Sequence, residues 1–301
     1  MFYLIYGIFY LLSLLPMWLL YGLSNLIYFL LYYVFGYRKK VVMNNLRLAF
    51  PEKSETELIK IAHAFYRNFV DNFIEMLKLF SASKSFIRKH FQFENIGLLE
   101  TIAKKGVRCQ VHLGHNFNWE LANLAVPLLI DYPLISVYMP VGNKLLDRIF
   151  LRLRSRTGVI MIPATEMRKS ILPYRDRGYM LALAADQAPG SPAKAYWLNF
   201  FGHPTPVVRG PERGARAADI PAVFAQIYKQ KRGHYIAQLE IPIEHPAQVA
   251  EGELTRQYIH FLERVIRQHP EMWLWSHRRW KHVWKEEYKA SWIDTAPLPN
   301  S

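Results

Sequence analysis

The chain has 301 residues, with 38 Lys+Arg against 24 Asp+Glu and a formal net charge of +14. With 51% apolar and 21% charged residues it is neither disordered nor fibrous, and its length allows one large domain or two small ones. Its single cysteine, Cys109, excludes an internal disulfide framework and fits a reducing compartment. The basic excess predicts anionic partners: nucleic acid, acidic lipid headgroups or an acidic protein.

From Met1 to Tyr37 there is no Asp, Glu, Lys or Arg. As one straight helix this run would measure about 54 Å against a hydrocarbon core of roughly 30 Å. Pro16, or the Gly22–Ser24 stretch, could fold it into a re-entrant hairpin; a tilted or kinked single helix is the alternative. A cleaved secretory signal fits poorly, because the run lacks a basic start and a small-residue cleavage site. Arg38-Lys39-Lys40 follows at once, the positive flank expected on the cytoplasmic side. Residues 1–37 therefore read as an uncleaved membrane anchor and residues 38–301 as one domain on the cytoplasmic face. A domain held on an anionic inner leaflet gives the basic excess a simpler reason than nucleic acid. The run Trp273-Leu-Trp275-Ser-His277-Arg278-Arg279-Trp280-Lys281 reads either as a membrane-interface belt or as a base-stacking surface.

Residues 38–50 show helical spacing and stop at Pro51, and Ser54 with Glu57 makes a capping box for a helix running to about Phe80. On that helix Ile59, Ile61, Ala62, Phe65, Phe69, Phe73 and Met76 form the apolar stripe. Strands are expected over 108–113, 134–138, 159–162 and 179–185, with helices over 119–129, 144–156 and 165–174 between them. Strands over 222–228 and 234–241 and a helix over 253–268 follow. This alternation predicts an α/β fold with a central mixed, largely parallel sheet flanked by helices.

The segment most suggestive of chemistry is Gly114-His115-Asn116-Phe117-Asn118-Trp119-Glu120, where a strand ends and a helix begins with Asn118 as its cap. On one continuous helix His115 and Glu120 would point about 140° apart. With His115 on the turn and Glu120 in the first helical turn, the two can meet at the carboxyl end of the sheet. A histidine touching a carboxylate has a fixed tautomer and is prepared as a general base. No Gly-x-Ser-x-Gly accompanies it and Cys109 lies inside a strand, so direct attack by a substrate hydroxyl is expected, without a covalent intermediate. Metal ligation by His112 and His115 is disfavoured, since those strand positions face opposite ways. A purely structural His/Glu pair is the plainer alternative.

This segment resembles the lipid A biosynthesis acyltransferases, the lauroyl and myristoyl transferases within the lysophospholipid acyltransferase superfamily. Their Gly-His-x-Gly-Asn-Trp-Glu block stands here with Phe117 in place of Gly. The resemblance continues in order through Val137-Tyr138-Met139-Pro140, Asn143, Asp147, Arg154, Asp186-Gln187, Phe200-Phe201-Gly202 and the run from Trp273 to Lys281. It implies transfer of a fatty acyl chain from acyl carrier protein to a hydroxyl of a lipid A precursor at the bacterial inner membrane. His115 would take the proton and Glu120 would orient it. Arg154 or a backbone N–H near Gly114 would meet the oxyanion, and Asp186 would hold Arg154 or His115. Asn116 is a further site residue and Arg209 a candidate for an acceptor phosphate. No metal, nucleotide or other cofactor is required. An acidic carrier suits a protein of this charge by electrostatic steering. Phe117 and Met139 depart from the family pattern and leave open a different acceptor, a lysophospholipid or aminolipid. A non-catalytic basic membrane-binding protein is the rival from another class.

Overall fold

A computed structural model describes residues 1–299. Two apolar helices open the chain: α1 (Phe2–Ser13) and α2 (Met17–Phe29), the latter extended by a π-helical turn at Leu30–Val34. The break falls at Pro16, whose extended backbone (ψ 151°) caps α2 and whose ring cannot continue a helix. Met17–Val34 is long and apolar enough to cross a membrane and is the candidate anchor. Then come α3 (Lys39–Ala49) and α4 (Glu55–Lys78), which opens with the expected Ser54/Glu57 capping box.

The buried face of α4 differs from the expected stripe. Ala62 and Phe65 are buried, but Ile59 and Phe73 are exposed, and Asn68, Asp71, Asn72 and Glu75 are buried instead. The cause is α2, which packs along α4 and meets it with hydroxyls: Tyr21 donates to Glu75 (2.9 Å) and Ser24 to Asp71 (2.6 Å).

Three short elements that the sequence pattern does not announce come next: α5 (Lys84–His90), β1 (Phe91–Phe93) and α6 (Gly97–Lys105). The α/β run follows close to expectation, with β2 (Cys109–Leu113), α7 (Trp119–Leu129), β3 (Leu134–Tyr138), α8 (Lys144–Arg154) and β4 (Ile160–Pro163). The helix expected over 165–174 is only the single turn α9 (Met167–Ser170) between 3-10 turns, where Pro173 lacks the N–H a longer helix would need. After β5 (Met180–Ala184), an antiparallel hairpin of β6 (Tyr196–Phe200) and β7 (His203–Val207) stands apart from the main sheet. Pro204 and Pro206 in β7 mask it as a strand. The chain continues with α10 (Gly210–Ala217), β8 (Ala222–Lys231), β9 (His234–Ile243) and α11 (Glu253–Gln268).

Seven strands form the main sheet in the order β1-β9-β8-β2-β5-β3-β4. Every neighbouring pair is parallel except the β8–β9 hairpin. The sheet is thus mixed and largely parallel, as the strand–helix alternation implies. Helix α11 buries Leu254, Tyr258, Ile259, Leu262, Val265 and Ile266 beside β8 and β9, each worth roughly 1.5–3 kcal/mol for a fully covered aliphatic or aromatic side chain.

The C-terminal aromatic run is neither an interface belt nor a base-stacking surface. Trp273, Trp275 and Arg279 are at most 1% exposed. The Trp275 indole donates to the Pro270 carbonyl (2.5 Å), and Arg279 donates to the Pro206 carbonyl (3.0 Å) and lies over the Phe200 ring. From α3, Asn45 donates to the carbonyls of Trp275 and His277, and Arg38, just before that helix, to that of Ser276. The run is a strap buckled to the start of the globular part.

Candidate active site

Strand register alone brings two distant residues together. Parallel β2 and β5 are paired with Leu113 opposite Ala184, so His115 and Asp186 each lie two residues beyond the same edge of the sheet. There the His115 Nδ1–H donates to Asp186 Oδ1 (2.5 Å) and the His115 backbone N–H donates to Oδ2 (2.8 Å). The Trp273 indole N–H also donates to Oδ2 (2.7 Å), and Tyr258 fixes the end of β2 by donating to the Leu113 carbonyl (2.8 Å). With Nδ1 committed to the carboxylate, Nε2 is the basic nitrogen of neutral His115.

The electrostatics follow from burial and this pairing. Asp186 has a 1% exposed side chain, against 24% for His115. Burial would raise the Asp186 carboxyl, but the charge of His115, the two hydrogen bonds from it and the Trp273 indole outweigh that and lower it to about 2. For His115, burial pulls the imidazole down, and the Asp186 charge and hydrogen bond more than reverse it, leaving its pKa above the ordinary value. Neighbouring His277 is driven the other way, to about 4, by burial and the nearby Arg279. Its Nε2 accepts the Ala188 N–H (2.9 Å), which braces the loop after Asp186.

Glu120 does not contact His115; the expected partner is corrected to Asp186. Glu120 is paired with Arg154, whose Nε donates to both carboxylate oxygens (3.1 and 2.9 Å) and whose Nη2 also donates to Oε1. The reason lies in the helix start. Asn118 accepts the Leu121 N–H as the cap, and Glu120 in the first turn then faces α8 instead of the turn that holds His115. Trp119 stands between the two pairs, its ring edge-on to His115 (5.6 Å) and its indole N–H directed at Glu120 Oε1 (3.3 Å).

Asn116 lies at the same turn. It is 2% exposed, and its Nδ2 has no hydrogen-bond partner among the described residues. Gly114 leaves little room here: a Cβ would sit 2.6 Å from Leu262 Cδ1 and 2.7 Å from Asn116 Oδ1, and those side-chain ends would have to shift. Arg209 is elsewhere: it donates to the Ala195 carbonyl (2.9 Å) and the Ser291 hydroxyl (2.6 Å) and stacks on Tyr196, so it ties the β6–β7 hairpin to the C-terminal turn. His112 parts from His115 too, packed against Phe224 and Tyr258 and hydrogen-bonded to the Gln110 amide (2.8 Å).

Sequence reasoning missed Glu75, which is 6% exposed and supports the turn from below. It accepts from Asn118 (2.9 Å), Tyr235 (2.7 Å) and Tyr21 (2.9 Å), so the cap of α7 is hung on α4. Its one signal was an acid set among the apolar residues of a long helix.

A family model described as bacterial lipid A biosynthesis acyltransferase matches residues 1–282. A lipid A biosynthesis palmitoleoyltransferase from Escherichia coli (strain K12) is 24% identical over 245 residues, 81% of this chain and 79% of the relative. A lipid A biosynthesis acyltransferase from Haemophilus influenzae is 25% identical over 248 residues, 81% of this chain and 78% of its own. With the match running through the His115 turn, the Asp186 loop and the C-terminal strap, this chain belongs to the bacterial lipid A biosynthesis acyltransferases.

Proposed function

We propose that the protein transfers a fatty acyl chain from the thioester of acyl carrier protein to a hydroxyl of a lipid A precursor, with His115 as general base. The observation that carries this reading is the His115–Asp186 pair at the carboxyl edge of two adjacent parallel strands. His115 Nε2 takes the proton of the acceptor hydroxyl as its oxygen attacks the thioester carbonyl. Asp186 keeps the imidazolium oriented and charge-balanced. The tetrahedral intermediate collapses by breaking the carbon–sulfur bond, and the departing thiolate takes the proton from Nε2. No enzyme nucleophile enters, because Cys109 is buried inside β2 with its thiol pushed up to about 12.

Arg154 and Asn116 supply the positive and neutral donors for the oxyanion. Glu120 acts through Arg154, fixing its guanidinium between α7 and α8. The enzyme works on the cytoplasmic face of the bacterial inner membrane, where residues 1–37 hold it, and its net charge of +14 steers an acidic carrier toward it. The test is to incubate the purified protein with acyl carrier protein thioester and either a lipid A precursor or a lysophospholipid, and to weigh the products. Addition of one acyl group to the precursor, lost in His115→Ala, is expected; transfer to the lysophospholipid alone would overturn the acceptor, and transfer by the His115→Ala protein would overturn the mechanism.

A further inference from the structure

We propose that α1 and α2 lie in the plane of the membrane interface and do not cross it; this rests on the membrane location given above. The argument begins with spacing. On α2 and its π-helical extension the buried positions are Leu20, Ser24, Tyr28 and Tyr32, four residues apart each time, and they face α4. The two helices run antiparallel: Tyr21 meets Glu75, Ser24 meets Asp71, and Tyr28 meets His63 (2.6 Å). The span candidate is therefore fastened to the globular part from one end to the other.

That fastening decides its orientation. Beside α2, helix α4 carries His63, Arg67, Asp71 and Glu75, and Lys78 donates to the carbonyls of Ser13 and Leu15 at the α1–α2 break. A crossing α2 would have to draw these ionisable groups into hydrocarbon, where they are costly. Detaching it would leave Ser24 and Tyr21 without their partners and uncover Leu20, which is 0% exposed. Lying flat does neither.

The outward face fits that posture. Trp18, Leu26, Phe29 and Tyr33 on the second helix and Leu4 and Leu11 on the first are all more than half exposed. The rim is cationic. Arg148 and Arg152 lie over Phe2 and Tyr6, Arg67 and Arg232 over Tyr28 and Tyr21, and Lys39 over Tyr32. No acidic residue occurs before Glu52. An apolar face with aromatic residues and a mainly cationic border, in which Asp71 is buried and paired with Arg232, is complementary to an anionic leaflet, and it would lie shallowly between headgroups and acyl chains.

The experiment places single spin-labelled cysteines at positions 4, 11, 18, 26, 29 and 33 of the full-length protein on vesicles of phosphatidylethanolamine and phosphatidylglycerol. Native Cys109 is buried and stays unlabelled. Depth read from oxygen and nickel-chelate accessibility should be shallow and similar at all six positions, and labels at 20 and 24 should stay out of lipid. A depth that rises to the bilayer centre near position 26 and falls beyond it would overturn the inference while leaving the membrane location standing. Spin–spin broadening between copies would mean a second chain covers the face, and would overturn it too. Failure to bind vesicles, in a protein still active in detergent, would remove the membrane location itself. Arg148→Gln should weaken vesicle partition about fivefold at low salt; no change would remove the electrostatic part.

Discussion

Two ion pairs stand on either side of Trp119, and they are built for different work. In the His115–Asp186 pair one member is a histidine, its pKa held above the ordinary value by the carboxylate against the pull of burial, and it is the more exposed of the two, at 24% against 1%. In the Arg154–Glu120 pair the guanidinium keeps its charge at any physiological pH, and both donors aimed at the carboxylate tie α7 to α8. The first pair has a member that can exchange a proton, whereas the second keeps its charge and its geometry fixed. A carboxylate near His115 in sequence is thus a different thing from a carboxylate beside it in space.

The largest expected effect is that of His115→Ala. Initial rates of acyl transfer should fall by about 10²–10⁴, the span of a lost general base, while the circular dichroism spectrum stays native. Asp186→Asn comes next, with a loss of about 10². In the wild type, activity should rise with pH through a His115 pKa held above its ordinary value, because the base acts when neutral. Asp186→Asn removes that support, so the acid limb of kcat/KM should move to lower pH as the maximum falls.

The same substitution has a stability signature with a definite sign. His115, raised in the folded state, contributes stability below about pH 6.5 and loses it as pH climbs through the folded value. Asp186, lowered to about 2, contributes above the ordinary carboxylate range and loses it as pH falls toward that value. The difference in urea midpoint between wild type and Asp186→Asn should therefore peak between about pH 4 and 6.5.

Glu120→Gln should cost less activity, about tenfold, and destabilise by about 1–3 kcal/mol through a less well matched Arg154. Its acid limb should stay where it is in the wild type. A shift there would transfer the orienting role from Asp186 to Glu120 and collapse the distinction between the pairs. The smallest effect is expected for Gly114→Ala, where the added methyl meets Leu262 and Asn116. A stability loss of about 1–3 kcal/mol with a fewfold drop in kcat should accompany it, and the Glu120–Arg154 side should be untouched.

Much of this molecule was legible because its signals are local. The Ser54 capping box, the helix over Trp119–Leu129 and the strand over Leu134–Tyr138 fall where their residues place them. Asn118 caps as its chemistry suggests. What the sequence left open or missed is set by register and burial. The sequence offered Asp186 as a partner of Arg154 or His115, and which of the two it meets depends on which strands are neighbours, since β2 finds β5 only after two intervening strands. The aromatic run at 273–281 has the composition of an interface belt, and the acceptors inside the fold, the Asp186 carboxylate for the Trp273 indole and the Pro270 carbonyl for that of Trp275, make it a core strap. Arg209 is likewise basic and suitably placed in sequence, but its partners come from residues 195 and 291.

The buckle between residues 38–45 and the strap at 275–277 also orders events during synthesis. The apolar helices and the basic Arg38–Lys40 emerge first, so the chain can meet a membrane long before Trp273 exists. Asp186 gains the last of its three donors only when the strap closes over it. A chain interrupted before Trp273 would carry His115 and Asp186 without the indole that helps hold the carboxylate. The apolar helices and the indole that completes the hydrogen bonds to Asp186 thus lie more than two hundred residues apart along the chain, and a protein made without the strap would lack that third donor.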